Sequence, residues 1–321
     1  MSKFVFFNYG EGYQKCIINA LKDNDEVYSF ENFKGTKLKK IFSLHNAWPI
    51  NKKIEIPFKR IWFKRMLKGI EICEQDDVYF LLYESFHLTY SKAFLRYLKK
   101  KYPNSKLCFM FSNPADKYNK TKVSFVKKYL DAIITFNKKD AIENNFLFCP
   151  LQPYKVPIYD GQLEEHSDLF FIGADKGRLE KLLLIYEHLS SKGVKCDFYI
   201  VGVPDDKQRY SNKIHYNHRL TYEEVLKKVA STNCVLEVLQ NEENYISIRT
   251  IEAMQYRTKL LTSSNSIKNS SLYNENIVQV FDEVENIDAN FVKTIADNNQ
   301  FPDELFCSLT QFKHYLLDNV G

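Results

Sequence analysis

No stretch of this chain approaches the roughly 18 consecutive apolar residues that a transmembrane helix needs. Its longest apolar runs, such as Val78–Tyr83, have the length of strands. No C-x-x-C and no paired cysteine spacing occurs; the seven cysteines, at 16, 73, 108, 149, 196, 234 and 307, stand singly, most among apolar neighbours. That pattern fits free thiols in a reducing cytosol and argues against a disulfide framework or a zinc site. There is no tandem repeat, no low-complexity tract and no RNA- or DNA-binding motif. The start, MSKFVFFNYG, runs into a strand without a small-residue cleavage site, so no signal peptide is expected.

What remains is ordinary soluble material: 321 residues, 45% hydrophobic and 26% charged, enough for a substantial core and of a length that suits two domains. The net charge of +5 is unevenly spread. Between Lys34 and Lys68 there are eleven Lys or Arg residues against one acid, Glu55, while the rest of the chain holds 34 bases and 39 acids. Trp48 and Trp62 both lie in that basic segment. It reads as a solvated basic face, as a membrane-surface patch whose Trp48, Phe58, Trp62 and Phe63 dip into the interface, or, least favoured, as a nucleic-acid site.

Strand and helix signals alternate. Strands are predicted at Phe4–Phe7, Glu26–Phe30, Asp77–Tyr83, Lys106–Phe111 and Asp131–Phe136. Helical patterns run from after Gly12 to Leu21 and over Ser91–Lys101 and Lys122–Tyr129. Residues 149–166 hold three prolines in eight positions, then Asp160-Gly161, and read as a linker. A second alternation follows: strand Leu169–Gly173, helix Leu179–Ser191, strands Asp197–Gly202 and Ile214–Tyr216, helix Tyr222–Ala230, strand Cys234–Leu239, a helix from Ser247, and strands Lys259–Thr262 and Ile277–Phe281. Leu305, Phe306, Leu309, Phe312 and Leu316 form a stripe at helical spacing near the end. The expected class is α/β, with two Rossmann-like domains facing across a cleft and a C-terminal helix closing over them. The boundaries fall at 1–155, 156–300 and 301–321.

The sharpest local signal is residues 231–265. A buried strand leads through a polar loop to a helix start carrying Ser247, Arg249 and Thr250, with Glu252 five residues in. A helix N-terminus has partial positive charge and orphan amide donors, so it suits an anion such as a diphosphate. Ser247 also suits a helix cap. Arg249 opposes the helix dipole, a mismatch that an anionic ligand or an ion pair with Glu242 or Glu243 would relieve. Glu237, in the apolar run Val235–Leu239, points into the cleft or lies on an exposed face.

The segments Phe170–Arg178, Tyr199–Gly202, Leu220–Val225 and Ser247–Met254 leading to Lys259–Thr262 resemble the nucleotide-sugar-binding domain of GT-B glycosyltransferases, particularly bacterial enzymes of polysaccharide and lipopolysaccharide assembly. The resemblance covers roughly residues 165–285. It implies a nucleotide-diphosphate sugar as donor, with UDP the expected nucleotide, and a glycan or lipid-linked acceptor held by the N-terminal domain. It implies no cofactor and a cytoplasmic protein, at the inner face of the membrane if the basic segment binds there. Gly173, Lys176 and Arg178 would approach the phosphates, as would Ser247, Arg249 and Thr250, and Glu252 matches the glutamate that binds the ribose hydroxyls. The acidic pairs Asp76-Asp77 and Asp205-Asp206 show no metal-ligand spacing, and a metal-independent reaction is expected. Many retaining members have two glutamates seven residues apart, but Asn244 stands at the first position, with Glu243 beside it, and Tyr245-Ile246 replaces the usual glycine. An inverting reaction needs a base, for which Glu84 and His87, or less favourably His45, are the candidates. A non-catalytic nucleotide- or glycan-binding module of the same fold is the alternative.

Overall fold

The computed structural model describes residues 2–7, 27–30, 36–115, 117–149, 159, 166–240, 245–301 and 309–321. The first predicted helix, most of the Pro-rich segment, Glu242, Glu243, Asn244, Leu305 and Phe306 lie outside the described residues. The chain divides into two compact units, Met1–Lys155 with Phe306–Gly321, and Val156–Leu305.

Unit 1 holds strands β1 (Lys3–Phe7), β2 (Val27–Phe30), β3 (Val78–Tyr83), β4 (Lys106–Met110), β5 (Ala132–Thr135) and β6 (Leu147–Phe148). They form one sheet in the order β2-β1-β3-β4-β5-β6, every pair parallel. All six residues of β3 are buried, which is why an unbroken apolar run belongs at the centre of a parallel sheet. Its helices are α1 (Thr36–His45), α2 (Trp48–Asn51), α3 (Arg60–Met66), α4 (Lys92–Lys101), α5 (Lys117–Val126) and α6 (Lys138–Asn144). The first three fall in the basic segment. Phe7 anchors the core: its ring stacks on Phe80 at 5.9 Å and Phe86 at 5.4 Å and meets Phe94 edge-on at 5.5 Å.

Unit 2 holds β7 (Ser167–Ala174), α7 (Leu179–Ser191), β8 (Cys196–Val201), β9 (His215–Tyr216), α8 (Tyr222–Ala230), β10 (Thr232–Glu237), α9 (Ile248–Gln255), β11 (Lys259–Thr262), β12 (Val278–Val280) and α10 (Ala289–Lys293). Its sheet order is β12-β11-β10-β7-β8-β9, again all parallel. Its core, separate from that of unit 1, is built from Leu182, Ile185, Phe198, Leu236 and their neighbours. The start of α8 is set by a capping box: Thr221 Oγ1 accepts from Glu224 N at 3.3 Å, and Glu224 accepts from Thr221 N at 2.6 Å.

The last helix, α11 (Leu309–Val320), belongs to unit 1, with Phe312 and Leu316 fully buried and Phe312 against Phe6 of β1 at 6.3 Å. The class is thus α/β with two Rossmann-like units, as the alternation implied. In each sheet the chain leaves its first strand in one direction and returns to add strands on the other side. The switch points fall between β1 and β3 and between β7 and β10. Ligands of open α/β sheets bind beyond the carboxyl ends at such points. Phe7→Ala removes the ring that three others pack on, and it is expected to lower stability by about 3–5 kcal/mol in urea unfolding.

Candidate functional site

Glu237 is the last residue of β10 and is 4% exposed. A carboxylate buried that deeply needs donors in place of water. Three hydroxyls supply them. Thr262, at the end of β11, donates to Oε2 at 2.6 Å; Thr250 donates to Oε1 at 3.0 Å, and Ser247 donates to the same oxygen. The expectation of an exposed face for Glu237 does not hold, because the side chain is buried and accepts three hydrogen bonds. The clamp ties the first turn of α9 to the ends of two strands.

Ser247 is the N-cap of α9, its Oγ accepting from Arg249 N at 3.0 Å while its proton goes to Glu237. Thr250 is buried beneath the helix. Both hydroxyls therefore face protein, and the groups of this turn left to meet a ligand are helix amides and the Arg249 side chain, which is 18% exposed. Arg249 pairs with Glu252 one turn on, so a partner that relieves its clash with the dipole is present on its own helix. Glu252 is wholly buried, not an exposed helix carboxylate, and its other oxygen accepts from the Tyr222 hydroxyl at 2.7 Å. Burial pushes its pKa above the ordinary carboxylate value, while Arg249 and then Tyr222 pull it back.

Arg178 precedes α7 and reaches across the switch point. Its Nε and Nη2 donate to Ala174 O at 3.2 and 2.9 Å, and Nη1 donates to Val238 O beyond β10. The guanidinium thus joins the carboxyl ends of β7 and β10. Burial lowers its pKa, and Arg249 is near enough to add to that effect. Gly173 makes room for it: a Cβ there would lie 2.9 Å from Arg178 Nη2 and 3.1 Å from the Phe171 ring. Lys176 is exposed, with φ +46°, followed by Gly177 at +83°. Asp175 holds this turn, accepting from Gly177 N at 3.1 Å and Leu179 N at 2.8 Å. Gly173, Arg178, Ser247, Arg249, Thr250 and Glu252 thus share one corner of unit 2, with Lys176 at its edge. Sequence reasoning passed over Tyr222 and Thr262. The first is hidden behind the capping box of α8, and the second reads only as a strand end.

In unit 1, Glu84 follows β3 at the other switch point. Its Oε1 accepts from Ser112 Oγ at 2.9 Å and Asn113 Nδ2 at 2.7 Å. His87 begins the 3₁₀ turn His87–Tyr90, and burial followed by the charge of Lys122 holds its pKa below the usual imidazole value. Both effects favour the neutral imidazole, the form a base requires. His45 has another task. Its Nδ1 accepts from Trp62 Nε1 at 2.8 Å, which leaves Nε2 to donate to Pro57 O at 2.9 Å, so the two ring nitrogens pin α1 to α3 and to the segment before it. Among the described residues no three His, Cys, Asp or Glu side chains come together to hold a metal ion.

No family model and no curated protein matches the chain. Solved structures do. MnaA of S. aureus, in its structure with UDP, is similar over 99% of this chain and 97% of its own, at 11% identity and a TM-score of 0.53. An alpha-glucosyltransferase in complex with UDP and a 13-mer DNA is similar over 84% of this chain and 81% of its own, at 12% identity and a TM-score of 0.50. The chain has a GT-B fold. At such identities the likeness is one of fold, and in this GT-B chain the site rests on the geometry above.

Two results are expected. Gly173→Ala has no room because Arg178 is held at both ends by carbonyls, and a loss of about 1–3 kcal/mol is expected in urea unfolding. Glu252 has a raised folded-state pKa, so its contribution to stability is fully present below the ordinary value of 4.5 and is lost as pH rises through the raised one. The stability of wild type relative to Glu252→Gln should therefore fall with rising pH across that window; a flat difference would contradict the burial argument.

Proposed function

We propose that the chain is a glycosyltransferase that moves a sugar from a nucleotide-diphosphate donor, a UDP-sugar, to a glycan or lipid-linked acceptor. The observation that carries this reading is the meeting of Arg178 and the Ser247-capped start of α9 at the β7/β10 switch point. Two proteins of similar fold, solved with UDP, support the choice of nucleotide.

In this reading the diphosphate lies against the first amides of α9, with Arg249 and Lys176 supplying positive charge. Ser247, Thr250 and Thr262 act through Glu237, fixing the direction of the helix rather than touching the phosphates. Each carboxylate oxygen can accept two hydrogen bonds, so Glu252 keeps capacity for a ribose hydroxyl once Arg249 swings toward the diphosphate. The acceptor hydroxyl loses its proton to a base in unit 1, His87 or Glu84, and its oxygen bonds to the anomeric carbon as the bond to the diphosphate breaks. The leaving UDP carries away the electron pair, its charge held by the helix start and cations without a metal. If the configuration is retained, Glu243 is the carboxylate to test in place of an external base.

Thermal-shift titration with UDP, GDP, CMP and dTDP tests donor binding. UDP at a hundredfold excess over its dissociation constant should stabilise the chain by about 2.7 kcal/mol. Arg249→Ala and Glu252→Ala should weaken binding by roughly tenfold or more, as loss of a charge-assisted hydrogen bond predicts. No shift with any nucleotide would sink the reading. UDP binding with neither transfer nor hydrolysis of a UDP-sugar would leave a nucleotide-binding module. Loss of turnover with donor affinity intact in His87→Asn or Glu84→Gln identifies the base.

A further inference from the structure

The basic segment contains an apolar surface that the transferase reading does not use. Ile41, Leu44, Ile50, Ile54, Phe58 and Ile61 are each between 42% and 79% exposed. These are six of the fourteen exposed large apolar side chains among the described residues, gathered within 21 consecutive positions, where scattered singles would be unremarkable. On α1 the exposed residues Lys37, Lys40, Ile41 and Leu44 follow helical spacing along one face, while Phe42 enters the core. On α3, Arg60, Ile61 and Lys64 are exposed and Trp62, Phe63 and Met66 are buried. The two helices are fastened by the His45 bonds and by Phe42 edge-on to Trp62 at 5.3 Å. Both bury their opposite sides in one core.

Three of the four aromatic residues expected at an interface are not exposed. Trp62 and Phe63 are core, and Trp48 packs edge-on to Phe125 at 4.9 Å and against Tyr90 at 6.0 Å. Only Phe58 projects, at 79% exposure, from a backbone with φ +64° that bulky residues rarely adopt. Beside it lies a cavity of about 940 Å3, lined by Pro57, Phe58 and Ile61 and by Arg60, Arg96 and Lys101.

We propose that unit 1 docks on an anionic lipid bilayer through this face, the aliphatic side chains and Phe58 entering the acyl boundary and the surrounding lysines and arginines meeting headgroup phosphates. Charge complementarity selects this occupant. A second copy would set exposed bases such as Lys37, Lys40, Lys52, Lys53, Arg60 and Lys64 against their own copies across a two-fold axis. Single-stranded nucleic acid stacks its bases on aromatic rings, and this face offers one ring among six apolar side chains. An anionic bilayer uses both halves of the surface, and polybasic segments with apolar neighbours bind it in this way. The mode is interfacial, since no helix of the described residues is long and apolar enough to cross a membrane. The docking is independent of nucleotide binding and is read without turnover.

Co-sedimentation of the full chain with phosphatidylglycerol–phosphatidylcholine vesicles tests it. Binding should be at least about tenfold weaker on pure phosphatidylcholine and should fall steeply between 0.15 and 0.5 M salt. The pair Lys52→Gln and Lys53→Gln should weaken binding by about fivefold per charge, which is roughly 1 kcal/mol each. The pair Ile54→Ser and Phe58→Ser should weaken it by tenfold or more, with an unchanged circular-dichroism melting curve showing that the fold survives. Phe58→Trp should gain fluorescence that lipids brominated near the headgroup quench. No binding, equal binding to neutral vesicles, or binding untouched by both pairs would overturn the proposal. So would a dimer that dissociates in the Ile54/Phe58 variant, or nucleic-acid binding that displaces the vesicles.

Discussion

A buried carboxylate surrounded by three hydroxyls governs the geometry of unit 2. Glu237 ends β10 with its charge out of water, and Ser247, Thr250 and Thr262 are the groups that make this tolerable. Because those hydroxyls come from the first turn of α9 and the end of β11, satisfying one charge fixes three elements together. The next residue, Val238, gives its carbonyl to Arg178, which in turn fills the space over Gly173. The loop after β7 and the start of α9 are thus set relative to each other through one side chain. A half-satisfied network would be worse than an apolar core, so the hydroxyls work only as a set.

Much of this was legible in the sequence because parallel sheets write themselves plainly. Runs such as Val78–Tyr83 and Cys234–Leu239, spaced by amphipathic helices, specify the α/β class. Ser247 is visible as a helix cap from its residue type and its place before an amphipathic turn. What the sequence hides is direction. The hydroxyls of Ser247 and Thr250 look like ligand donors until β11 brings Thr262 alongside and shows all three turned to Glu237. Arg249 and Glu252 look like separate ligand contacts until the helix sets them one turn apart. Tyr222 has no local signal, since it meets Glu252 from thirty residues away. The basic segment misled in a similar way. Tryptophan suggests an interface by type, but helical phase puts Trp62 on the inner side of α3 and leaves Ile61 outside.

The chain also separates its electrostatics by position. Eleven bases and one acid are concentrated in 34–68, within unit 1, and the remainder is net acidic. Within unit 2 charge is handled at close range, with Arg249 paired to Glu252 and Arg178 bonded to carbonyls. At the basic segment it is handled at the surface, where a field extends about 8–10 Å at ordinary salt. One device is short-range and directional; the other is long-range and diffuse.

Unit 1 is discontinuous in sequence, and this bears on the order in which the protein can be made. Its sheet is complete by Phe148, yet Phe312 and Leu316 of α11 fill positions in its core that no earlier residue occupies. Unit 2, contiguous from Val156 to Leu305, is synthesised entire before those residues. The domain whose strands are synthesised first is therefore the one finished last, and until then Phe6 lacks the Phe312 ring that packs on it.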